Sequence, residues 1–156
     1  MYDLYVLLPP RHGEYRELRV WKDKTMKPDN NSNYLDLRNR KSPRIFLNIY
    51  KGSKKKGQYV IDNVPPSLVQ FARDTHAQHG MYVFRRGLRS SASWSKYIGD
   101  MFESLLKKRV GINILRKSYT SYLFQNDPHM SEAKKMNIAH AMGTSVQKLQ
   151  LVYRKV

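Results

Sequence analysis

The chain has 156 residues, no cysteine, and 29 lysines and arginines against 12 acidic residues, a formal net charge of +17. The length suits one domain with a sizeable core, while the lack of cysteine excludes disulfide scaffolds, thiolate metal sites and cysteine nucleophiles. So large a positive excess repels itself in the compact state, so the expected partner is a polyanion, nucleic acid before an anionic membrane surface.

In chain order, "YRELRVWK" (15–22) alternates apolar and polar residues as a half-buried strand does. The segment 22–33, with Pro28 and an asparagine cluster, reads as a loop, and "YLDLRNRK" (34–41) as a short strand. "RIFLNIYKGSKKKGQYVIDNVPP" (44–66) reads as a hairpin with a Gly/Ser/Lys tip between two β-rich arms. Pro65 and Pro66 end it, and Ser67 is placed to cap a helix reaching about His79.

From here the pattern turns helical. Residues 91–109 set Trp94, Ile98, Met101, Phe102 and Leu105 at helical spacing, with acids early and bases late as the helix dipole prefers. Gly111 separates this helix from a second one (113–125). After the Asn-Asp-Pro break, Ser131 and Glu132 open a third, closed by Gly143. "SVQKLQLVY" (145–153) forms a short final helix. Met101, Met136 and Met142 are assigned to the core by their spacing, and the tyrosines at 119 and 122 to packing rather than base stacking. The predicted fold class is α+β: a small antiparallel sheet in the N-terminal half and a mainly helical C-terminal half. No apolar run approaches the length of a membrane span. No signal-peptide pattern opens the chain, so an intracellular location, cytoplasm or nucleus of a host cell, is expected.

Four stretches, in order, carry a resemblance. They are "PPRHGEYREL", with Arg11 three residues before Glu14; the hairpin tip "YKGSKKKGQYV"; "GINILRKSYTSYL"; and "AHAMGTSVQKLQLVYRKV". Together they resemble the catalytic domain of the tyrosine recombinases, the integrases of phage, viral and transposon type, over nearly the whole chain. The resemblance puts Arg11 in the family's first arginine box and Lys51, or Lys54, at its catalytic lysine. It puts Asn113 and Arg116 on its His-x-x-Arg pair, Thr144 where histidine or tryptophan is usual, and Tyr153 on the nucleophile. Both usual histidines are thus replaced.

What this implies is DNA strand cleavage and rejoining through a 3′-phosphotyrosyl intermediate, in recombination or integration. Two bidentate guanidinium groups, Arg11 and Arg116, suit the charge that grows on the non-bridging oxygens of a phosphodiester. A phenol with a pKa near about 10 needs such a positive site to attack at neutral pH. Lys51 would protonate the departing 5′ oxygen, and Asn113 and Thr144 would donate hydrogen bonds to the phosphate. Glu14 would orient Arg11, and His140, one turn before Thr144, is the candidate for the missing imidazole. Lys54, Lys55, Lys56, Lys117 and Arg154 are the expected DNA-contacting cations.

The resemblance implies double-stranded DNA as partner and a homotetramer on it. It implies no metal and no cofactor, and His12, His76, His79 and His129 have no metal-ligand spacing. It also implies that residues 1–156 are a single catalytic domain, a fragment lacking the family's N-terminal DNA-clamping domain. Ordinary alternatives stand beside each role: Tyr153 as a helix-terminal aromatic, Arg116 as a buried arginine paired with a carboxylate, the lysines as a solvated turn. The alternative functions are a type IB topoisomerase-like activity, a DNA-binding relative whose catalysis has decayed, and a basic RNA-binding protein.

Overall fold

The computed structural model describes residues 13–50, 53–62 and 64–153, with Val152 and Tyr153 described by backbone alone. The described residues form two compact units, 13–94 and 95–153.

The first unit is built on a four-stranded sheet in the order β1 (Arg19–Trp21), β2 (Tyr34–Asp36), β3 (Arg44–Leu47) and β4 (Tyr59–Ile61). One cross-strand row, Val20, Leu35, Ile45 and Ile61, runs through the register of all four strands. Each of its members is at most 6% exposed. Burying an aliphatic side chain of this size is worth about 1.5–3 kcal/mol, which is why so short a sheet holds its register. The sheet is mixed rather than antiparallel throughout: β1 and β2 are parallel, and the other two pairings are antiparallel. The predicted strand at 15–22 is shorter than expected. Glu14–Glu17 is a 3₁₀ turn, with Tyr15 and Leu18 both fully buried. Residues 81–83 extend the sheet at β1, through Val20 N to Met81 O at 2.7 Å and Val83 N to Leu18 O at 2.9 Å.

Asn33 joins distant parts of this unit. Its side-chain amide donates to the carbonyls of Glu14 and Ile49, each at 3.0 Å. Its side-chain oxygen accepts from the backbone N–H of Asn48 and of Ile49, both at 2.8 Å. One buried amide thereby satisfies backbone groups that would otherwise lack partners.

Between β3 and β4 the chain makes a single helical turn, α1 (Ser53–Lys56), where the sequence predicted a β-turn tip. Gly57, at φ +69°, takes the left-handed conformation that closes it. α2 spans Pro66–His79 with Pro65 at its N-cap. Ser67 therefore lies inside the helix and is not its cap, because Pro66 is already preset for the first helical position. An aromatic chain then links Phe71 of α2 to Phe84 (centroids 5.9 Å apart) and Phe84 to Trp94 (5.0 Å).

α3 spans Ser91–Leu106 and crosses from the first unit into the second after Trp94. In the second unit, α4 (Ile112–Asn126), α5 (Glu132–Ala141) and α6 (Val146–Lys148) follow, and a π turn over Leu149–Tyr153 ends the described chain. Phe124, Ala139, Met142 and Leu149 form an apolar cluster, with Tyr119, Ile138 and Val146 packed against it. Tyr119 thus packs as expected, whereas Tyr122 is 63% exposed. Among the described residues no helix is long and apolar enough to cross a membrane. The fold is α+β, with the sheet in the N-terminal half and helices dominating the C-terminal half.

Candidate functional site

Local chain chemistry explains how α5 ends and where Thr144 is put. Ser131 caps the helix, its hydroxyl accepting from Lys134 N at 3.3 Å. At the other end Gly143 adopts φ +64°. Gly143 N donates to His140 O at 2.9 Å and Thr144 N to Ala139 O at 2.8 Å. This is the paired-bond Schellman arrangement that a glycine one position past the C-cap residue, here Met142, allows. Thr144 is therefore held by its own backbone, and Ser145 then caps α6 by accepting from Lys148 N at 3.2 Å.

Arg116 meets this turn from the side. It projects from α4, is 5% exposed, and its Nη1 donates to the carbonyl of Met142 at 2.9 Å. Thr120, one turn further along α4, donates to the Arg116 carbonyl at 2.9 Å and lies 3.6 Å from Met142 Sδ. α4 also runs beside the π turn that carries Tyr153. The helix with Arg116, the turn with Thr144 and the segment with Tyr153 are thus neighbours within one unit. The sequence reading anticipated a carboxylate if Arg116 were structural; here a backbone carbonyl is one of its partners. A buried guanidinium needs such acceptors, since an unpartnered charge away from water is costly.

Other predicted residues fall as follows. Asn113 and Lys117 are exposed on α4 on either side of Arg116, and His140 is half-buried at the end of α5. Glu14 lies in the first unit, where its carboxylate accepts from Gly13 N at 2.9 Å. Lys54, Lys55 and Lys56 occupy the helical turn α1 and are exposed. Arg11, Lys51 and Arg154 lie outside the described residues, as does the side chain of Tyr153.

Sequence reasoning missed Thr120 and Met142 as partners of Arg116. The usable signal was the four-residue spacing of Arg116 and Thr120, which puts both on one face of a helix. It also missed an ordered arginine in the first unit. Arg38 grips Asp36 bidentately (2.9 and 2.8 Å) and lies 3.3 Å over the Trp21 ring. Burial alone would raise the Asp36 carboxyl. Hydrogen bonds from the Arg38 side chain and backbone, with the charges of Arg38 and Arg44, outweigh it and hold the group below the usual carboxylate range. Among the described residues no three histidine or carboxylate side chains gather to hold a metal ion.

Comparison of the chain with protein-family models, with curated proteins and with solved structures finds no match.

Proposed function

We propose that the protein is a DNA strand transferase of the tyrosine-recombinase type. The observation that carries this reading is the bond from Arg116 to the carbonyl of Met142, 26 positions along the chain. It joins two of the four stretches on which the resemblance rests. A helix bearing a buried guanidinium, a rigid turn bearing Thr144 and the segment bearing Tyr153 are what phosphoryl transfer to a phenol needs in one neighbourhood.

In this mechanism the Tyr153 phenol releases its proton to solvent as its oxygen attacks a backbone phosphorus of duplex DNA. The bond to the 5′ oxygen breaks, and a 3′-phosphotyrosyl ester forms. Lys51, or Lys54, gives the leaving oxygen its proton, while Arg11 and Arg116 take up the charge on the non-bridging oxygens. Asn113 and Thr144 donate further hydrogen bonds, and a new 5′ hydroxyl then displaces the tyrosine and restores a phosphodiester. A tetramer on DNA would bring two duplexes together for exchange.

The burial of Arg116, at 5% exposure, favours a second reading in which the arginine is structural and the protein binds DNA without cutting it. One experiment separates them. The protein is incubated with a pool of nicked duplexes of random sequence, in which cleavage releases a short strand and traps the enzyme. Denaturing electrophoresis then reads the covalent adduct. The expected result is an adduct with the wild type and none with Tyr153→Phe. Duplex binding without an adduct in the wild type would remove strand transfer and leave the binding protein.

A further inference from the structure

A cleft of about 410 Å³ opens in the first unit between the β2–β3 turn and α2. Its volume lies in the range of small-molecule sites. Arg40 and Lys41 line it from the turn and Arg73 from the helix, and no acidic residue is among its walls. Some cations of this chain are paired with carboxylates, Arg38 with Asp36, Lys96 with Asp100, Lys134 with Asp127 and Lys135 with Glu132. Among the described residues, Arg40, Lys41 and Arg73 have no carboxylate within ion-pair distance.

Three like charges from two separate elements therefore converge on one concavity. Their mutual repulsion favours occupation by an anion. The turn that carries two of them is fixed locally, since Asn39 Oδ1 accepts from Lys41 N at 3.0 Å and Asn39 O accepts from Ser42 N at 3.3 Å. Val64 and Val69 supply a buried apolar floor, at 5% and 6% exposure. An apolar wall beside the cations lowers the local dielectric and strengthens their pull on a charged group. Ser42 also lines the cleft, and its hydroxyl is a neutral hydrogen-bond donor.

We propose that this cleft binds a nucleotide phosphate, with Arg40, Lys41 and Arg73 holding the phosphate oxygens and the valine floor receiving the attached sugar or base. Its residues all belong to the first unit, whereas Arg116 and Tyr153 belong to the second, and the proposal stands whether or not the protein transfers strands. The phosphate can come from the backbone of a nucleic-acid strand or from a free nucleotide, and the same chemistry serves both.

The test compares the full chain with an Arg40→Gln/Lys41→Gln/Arg73→Gln variant. A control, Lys22→Gln/Lys24→Gln/Lys27→Gln, removes the same charge from an exposed loop of the same unit. Fluorescence anisotropy with a labelled duplex reads affinity against salt, and thermal protection by thymidine 5′-monophosphate reads free-nucleotide binding. The cleft variant should bind the duplex at least about tenfold more weakly, with a salt slope shallower by about 2–3. The loop control should change affinity less than about threefold. Protection of the wild type by the mononucleotide, lost in the cleft variant, would identify a free nucleotide as the ligand. A response to the duplex alone would identify a strand phosphate. Equal weakening in both variants, with no mononucleotide protection of the wild type, would overturn the proposal. Should the triple variant fail to fold, Ser42→Asp sets a negative charge among intact cations, and unchanged affinity for both probes would overturn it equally.

Discussion

Asp36 shows how much one side chain can depend on its surroundings. It is 4% exposed, yet it stays charged because Arg38 offers two parallel N–H donors and then stacks on Trp21. A carboxyl whose folded pKa lies below its unfolded value stabilises the fold above the unfolded pKa. That stability is lost as pH falls through the folded one. Asp36→Asn should therefore cost about 2 kcal/mol at neutral pH, the scale of hydrogen bonds to a charged group. The gap between wild type and variant should narrow as pH drops below about 4, where the unfolded carboxyl begins to protonate. Urea unfolding across the acid range checks this; a gap that widens on acidification would mean the carboxylate is not what Arg38 stabilises. Gly143 is the comparable case in the backbone. Its positive φ was legible from its place after a run of helical residues, because few other residues close a helix in that way.

At the scale of elements, spacing predicted which face of a helix is apolar better than it predicted where that face is covered. In α3, Trp94, Ile98 and Phe102 are at most 1% exposed, whereas Leu105 is 57% exposed. The helix ends at Leu106, with Lys107 at φ +55°, so Leu105 stands on a last turn that the core does not reach. Phe102→Ala should cost about 3–5 kcal/mol and Leu105→Ala less than about 0.5 kcal/mol. Chemical denaturation of the two variants measures both, and similar losses would mean that Leu105 is covered after all. Met136 repeats the lesson on α5, at 62% exposure while Met142 is 1% exposed. Both have helical spacing, but only Met142 lies beside Thr120 and Arg116.

For the molecule as a whole, the excess of positive charge would govern the proposed encounter with duplex DNA. With a net charge of +17, most of the affinity for duplex should come from released counterions. Affinity should fall at least about a thousandfold between about 50 and 200 mM salt, with little dependence on sequence in the non-specific regime. Anisotropy titrations in a salt series measure the slope. A slope near zero would show that the charges do not engage strand phosphates; the strand-transfer site would lose its substrate, and the cleft would be left with a free nucleotide as its only ligand.

Composition, periodicity and end signals determined by themselves that the chain is basic, α+β, sheet first and helices after, with a glycine stop before Thr144. These properties are local: caps, prolines and apolar spacing act over a few residues, and each can be read from its neighbours. The tertiary structure alone decided that β1 runs parallel to β2, and that Asn33 ties the 3₁₀ turn to the exit of β3. It alone set Arg116 against the carbonyl of Met142 and gathered Arg40, Lys41 and Arg73 around one cleft. In each case the partners are far apart in sequence, and a hydrogen bond or a shared cavity depends on where the folded chain brings them, which no local pattern encodes.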